Sequence, residues 1–223
     1  INARCCARPS TTAPTMRPLI IIALLLTAAC DPAPKPAATN ATTDATTDAT
    51  TDAAPDTTWR AAPGELTASQ QAQLGRARAA AQELGGALLG RVVAAVQADG
   101  HAAAIDVCKQ EAPAITADIA AKHKLRLGRT AARLRSPQNS APPWAKDAVE
   151  SQTAAPAVMV RGDGALGALL PIKLADACVA CHGAPDALAP GVAAALASRY
   201  PGDQATGFAP GDLRGWFWVE VAP

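Results

Sequence analysis

Residues 176–183 read Asp-Ala-Cys-Val-Ala-Cys-His-Gly, and this stretch constrains the chain more than any other. Two thiols separated by two residues, with an imidazole directly after the second, form the spacing that attaches a c-type haem. Two thiols add across the two porphyrin vinyl groups, and the histidine reaches the iron from the same short segment. Two other chemistries use similar residues. A thiol-disulfide pair stands at a helix start after a strand, but Leu-Ala-Asp-Ala precedes this one and shows no strong strand pattern. A zinc site needs four ligands as a rule, and His101, His123 and Cys108 supply no second close-spaced pair.

The remaining cysteines sharpen the question. Of six, Cys5 and Cys6 lie upstream of Met16, Cys30 ends an apolar run, and Cys108 is left alone. A lone thiol in an exported chain has two open readings. It is a small buried residue, since free cysteine packs well, or it coordinates iron opposite His182. Met159, His123 and His101 are the other candidates for that position. Met159 sits in a short strand pattern and reads as core. His123 lies in a charged helix end, and His101 opens a helix.

Met16 begins Met-Arg-Pro-Leu-Ile-Ile-Ile-Ala-Leu-Leu-Leu-Thr-Ala-Ala-Cys. A basic start, an apolar run and small residues before the cysteine make a secretory signal. The run from Leu19 to Leu26 is shorter than the roughly 20 residues that span a bilayer. Residues 1–15 therefore read as upstream readthrough and 16–29 as the signal peptide. Leu-Thr-Ala-Ala-Cys resembles a bacterial lipoprotein signal, with Thr27 departing from the preferred leucine. Cys30 is the candidate lipidation site. The expected location is the periplasm or the outer face of a bacterial membrane, with a lipid tether. Residues 30–58 carry three in-register Ala-Thr-Thr-Asp units and too little apolar surface for a core, so they read as a disordered linker. That leaves 59–223 as the folded part, one domain with appendages. Lys+Arg 20 against Asp+Glu 19 leaves no charge excess to argue for nucleic acid.

Within the folded part, Thr67 and Gln70 form a capping-box signature. Leu74, Ala77, Ala81, Leu84, Leu88, Val92 and Ala95 then repeat at three and four, predicting a long helix ending at Gly100. Gly85-Gly86 either weakens it or admits a close neighbour. Ile105, Cys108, Ala112, Ile115 and Ile119 predict a second helix, kinked or broken just before Pro113, with Cys108 on its apolar face one turn earlier. Residues 125–143 read as a loop. Short strands are expected at 157–160 and at 215–221, where Phe217, Val219 and Val221 alternate with Trp216, Trp218 and Glu220, and 168–172 is another short apolar stretch. A helical turn or two is expected at 192–197. Helices first and strands later make an α+β domain.

Four segments occur in a telling order: Ala104–Ile115, Leu127–Val149, Ala177–Gly183 and Tyr200–Val221. Together they resemble the bacterial c-type haem family with a PAS-like fold and His/Cys axial ligation, first characterised in cyanobacteria. Arg135-Ser136-Pro137 departs from the Arg-Asn-Pro usual there. The resemblance implies an α+β fold with long N-terminal helices on a PAS-like antiparallel sheet. It implies one covalent haem c on Cys178 and Cys181, His182 as proximal ligand and Cys108 as the second ligand. Arg129 and Arg214, in the shared motifs, are candidates to meet the haem propionates. The expected role is electron transfer or redox sensing with an unknown redox or signalling partner, and no enzymatic activity. The alternative is a haem-based sensor or small-gas-binding module that signals through a partner. A thiol oxidoreductase or a peroxidase fits less well.

Overall fold

The structure is a computed structural model that describes residues 56–223. The expected readthrough, the signal peptide, the Cys30 lipidation site and nearly all of the expected linker lie outside the described residues. Five strands form one antiparallel sheet: β1 (Trp59–Ala61), β2 (Arg126–Thr130), β3 (Ala157–Arg161), β4 (Leu166–Lys173) and β5 (Leu213–Val221). Their order across the sheet is β1-β3-β4-β5-β2. Three helices precede most of the sheet: α1 (Ala68–Asp99), α2 (His101–Asp106) and α3 (Ala112–His123). Three more lie within the second half: α4 (Lys146–Glu150), α5 (Val179–His182) and α6 (Val192–Arg199). This is the expected α+β arrangement.

α1 starts at the predicted capping box. Thr67 accepts from the Gln70 backbone N–H at 3.2 Å, and the Gln70 side chain accepts from the Thr67 N–H at 2.9 Å. One face of α1 packs Leu74, Ala77, Ala81, Leu84 and Leu88 against Leu127, Leu166, Ala168, Val219 and Val221 of the sheet. Burying a side chain such as Leu84 contributes about 1.5–3 kcal/mol. Gly85 does not break the helix. A Cβ there would stand 3.4 Å from the Phe217 ring, so the small residue admits a close neighbour. The helix is long and apolar enough by composition to cross a membrane. Its second apolar face, with Leu89 57% and Val93 44% exposed, instead lines the cavity described below.

The alternation in β5 holds. Phe217, Val219 and Val221 face the helices, while Trp216 and Trp218 pack on the other side with Ala145, Val149 and Leu169.

Two expectations need correction. The segment 125–143 is not all loop: residues 126–130 form β2, an edge strand paired with β5. Its Arg-Leu-Gly-Arg-Thr has no β-branched run, and pairing with a neighbour distant in sequence supplies what local propensity lacks. Of the kink or break expected just before Pro113, the break does not occur. Val107–Glu111 widens into a π turn, in which the Ala112 N–H reaches back to the Val107 carbonyl. Pro113 has no N–H, and its ring would crowd the carbonyl four residues earlier in a regular helix. The wider turn relieves that crowding without ending the helix. Cys108 therefore lies inside the irregular turn rather than one turn before it, and such turns occur often at functional sites.

Candidate functional site

The Cys-Val-Ala-Cys-His segment starts as a 3-10 turn, Asp176–Cys178, running into the single turn α5. Residues three and four apart share one helix face, so Cys178, Cys181 and His182 all line one cavity. Gly183 closes the turn. Its N–H donates to the Val179 carbonyl at 2.8 Å, and a Cβ on Gly183 would run into that same carbonyl at 2.6 Å. The turn is then stapled to the segment 205–208. Gly207 N–H donates to the Gly183 carbonyl at 2.7 Å, and Phe208 N–H to the His182 carbonyl at 2.9 Å.

The cavity has a volume of about 580 Å³, within the range of roughly 300–1,000 Å³ usual for cofactor sites. All six candidate site residues of the folded part line it: Cys108, Arg129, Cys178, Cys181, His182 and Arg214. They come from the π turn, β2, the turn at 176–182 and β5, which the sheet and α1 bring together. Arg129 points into it because its cross-strand partner is Phe217 and the pair shares the helix-facing side of the sheet. The opposite wall is apolar, from Leu88, Leu89, Val92, Val93 and Val96 of α1. Of the other candidate ligands His101 lines the cavity, whereas Met159 on β3 and His123 are not among its lining residues. His123 Nε2 lies 2.8 Å from Glu83 of α1 instead. Lys173 lines the cavity, while Arg133 stacks its guanidinium 4.0 Å from the Phe208 ring centre.

His182 Nδ1 lies 2.7 Å from the Ala205 carbonyl oxygen and 3.2 Å from Arg214 Nε. It cannot donate to one and accept from the other at once. The carbonyl only accepts and is closer, so Nδ1 carries the proton and points it at Ala205. That leaves Nε2 with its lone pair, the state a metal requires. Burial, then the charges of Arg135 and Arg214, pull the imidazole pKa down to about 3. Burial pushes the Cys181 thiol up. Burial also pulls Arg214 down to about 10 and lowers Arg129 from its ordinary value. Neither arginine is paired with a carboxylate among the described residues.

These features fit a covalent haem. Three free thiols and an imidazole with an open Nε2 line one cavity. The two exposed large apolar side chains among the described residues face it. Two arginines on its wall offer charge to anions. Thr130, also on the wall, holds a buried hydroxyl with no hydrogen-bond partner.

Sequence reasoning missed Arg135 and Asp203. Arg135 is only 8% exposed, and it bonds both Asp203 and the Cys181 carbonyl. It drew notice in the sequence only as part of a departing motif. A second, more polar cavity of about 780 Å³ adjoins the first, and Cys108, Arg129, Leu134, Arg135 and Asn139 line both.

Three comparisons bear on this site. The model of the Tll0287-like family, described as Tll0287, matches residues 35–222. Among solved structures, the chain is similar to the crystal structure of the cyanobacterial heme-protein Tll0287. The similarity covers 68% of this chain and 95% of that one, at 21% identity and a TM-score of 0.50, and is a likeness of fold. No curated protein matches.

Proposed function

The chain belongs to the Tll0287-like family, and from that premise we propose that it is an exported monohaem protein of electron transfer or redox sensing. The observation that carries this reading is the convergence of Cys178, Cys181, His182 and Cys108 on one cavity. Cys178 and Cys181 hold one haem c through thioether bonds. His182 Nε2 and Cys108 Sγ are its protein ligands. Arg129 and Arg214 meet its propionates, since guanidinium forks suit carboxylates. Iron held by imidazole and thiolate supplies one-electron chemistry at low potential, because the thiolate donates charge that favours the ferric state. With both protein ligands in place the iron would offer peroxide no site, so carriage or sensing is favoured over turnover. The apolar face of α1 excludes water, and the Ala205 carbonyl keeps the His182 proton away from Nε2. The signal pattern at 16–30 supports a folded part held outside the inner membrane, tethered by a lipid on Cys30 and served by an unidentified redox partner.

A second reading is favoured by one observation. Cys108 forms part of the wall between the two cavities. A small ligand arriving through the second cavity would meet Cys108 from the side away from the attachment turn. The chain would then sense by displacement of that thiol and signal through a partner.

The test is expression of the full chain with haem maturation, followed by denaturing electrophoresis and haem staining. A band that keeps its haem, and loses it in Cys178→Ala/Cys181→Ala, is expected. A wild-type band without haem overturns the reading. Rapid carbon monoxide or nitric oxide binding favours the sensor, and inertness favours electron transfer.

A further inference from the structure

The haem reading uses His182 but leaves unexplained the ion pair buried behind it. Arg135 and Asp203 have side chains 7% and 9% exposed, with Nε to Oδ1 at 3.2 Å and Nη2 to Oδ2 at 3.3 Å. Burying such a pair costs desolvation that its attraction only partly offsets, so stability is a weak reason for keeping it. Its other contacts point elsewhere. Arg135 Nη2 donates to the Cys181 carbonyl at 2.7 Å and lies 3.3 Å from the Ala205 carbonyl. Asp203 Oδ1 accepts the Ala205 N–H at 2.9 Å. The Ala205 carbonyl in turn accepts from His182 Nδ1 at 2.7 Å.

From this chain of bonds we propose that Arg135 and Asp203 are positioning residues that select the tautomer and orientation of His182. The proposal rests on the haem reading only for its consequence at the metal. Arg135 Nη2 meets the Cys181 carbonyl, Asp203 Oδ2 and the Ala205 carbonyl together, while Nε holds Asp203 Oδ1. Asp203 Oδ1 then holds the Ala205 N–H, and Arg135 Nη2 lies against the Ala205 carbonyl, so that residue 205 is held with its carbonyl facing Nδ1. Without that carbonyl, the competing contact is Arg214 Nε at 3.2 Å, a donor that requires a bare Nδ1. The proton would move to Nε2, and the imidazole would lose the lone pair that a metal needs. The fork matters as well as the charge. A lysine at 135 keeps the charge, but it has no second nitrogen in a fixed plane to hold Asp203 Oδ1 while the first meets the Cys181 and Ala205 carbonyls.

Truncating one partner strands the other's charge, so conservative variants are the right probes: Arg135→Lys, and the double variant Arg135→Gln/Asp203→Asn. Two readouts apply. In the full chain expressed without haem maturation, nitrogen NMR of the His182 ring is expected to show one dominant Nδ1–H tautomer. Both variants should shift it to a mixture or to Nε2–H. In the haem-loaded chain, electron paramagnetic resonance should show altered low-spin g values or a second species in the variants, with a shifted midpoint potential. Wild-type tautomer and wild-type resonance spectra in folded Arg135→Lys and in the double variant would overturn the proposal. Should the wild type carry no haem, that failure belongs to the haem reading. The tautomer measurement then decides the positioning role alone.

Discussion

Gly128 on β2 lies directly beneath the indole of Trp218 on β5, its cross-strand partner, so close that a Cβ at 128 would overlap the ring. That contact seats β2 against the sheet and so carries its neighbour Arg129 into the cavity. Gly128→Ala is expected to push the strand away from Trp218 at a cost of about 1–3 kcal/mol, as for other overpacked sites. Chemical denaturation should show the loss, and haem uptake should fall with it. An unchanged denaturation midpoint would contradict the close packing.

Cys108 has a separable effect. Cys108→Ala removes the proposed thiolate and leaves in place Cys178, Cys181 and His182, the residues proposed to hold the group. Covalent haem should therefore persist, while the midpoint potential rises and the thiolate signature leaves the optical and resonance spectra. Unchanged axial-ligand spectra would remove Cys108 from the ligand set.

Leu89 and Val93 test the cavity wall. Both are exposed on α1 and both face the cavity. Leu89→Gln/Val93→Gln should leave the stability of the haem-free chain within about 0.5 kcal/mol per site, as for other surface changes. It should nevertheless reduce the yield of haem-loaded protein, read as the ratio of Soret to protein absorbance. An undiminished ratio would mean that some other surface covers the group.

Gly86 is exposed, and a methyl group added there would meet nothing within 4 Å, so no packing contact requires glycine at this helix position. Gly86→Ala should stabilise α1 by about 0.5–1 kcal/mol. For a folded part of this size, that is a rise in Tm of about 1–4 °C. Calorimetry would check it.

Glu83 links α1 to the end of α3. Its hydrogen bonds with Lys122 at 2.7 Å and His123 at 2.8 Å hold its carboxyl below the usual value of 4.5. A lowered folded-state pKa favours the fold above 4.5, and that contribution fades as pH falls through the lowered value. Glu83→Gln should therefore melt earlier than wild type at pH 7, with the gap closing as the pH falls below 4.5 through the lowered value. A gap that persists in acid would mean the carboxylate's charge is not what joins the helices.

The parts of this protein legible in its residues are those governed by local rules. The capping box at Thr67 and the three-and-four repeat of α1 depend on neighbours one turn away, and both stand where expected. So does the alternation of β5. The one-turn proximity of Cys178, Cys181 and His182 follows from helix geometry alone. Other features depend on partners far along the chain. β2 exists because β5 pairs with it some ninety residues later, from Arg126 to Glu220 for example. Arg135 and Asp203 are ordinary charged residues until burial places them together behind His182. Cys108 could be read as core or as ligand until the π turn set it in the same cavity as the attachment segment. Periodicity reports which face of an element is buried, because that is set residue by residue. What a buried face meets is set by the packing of whole elements, and no spacing of residues encodes it alone.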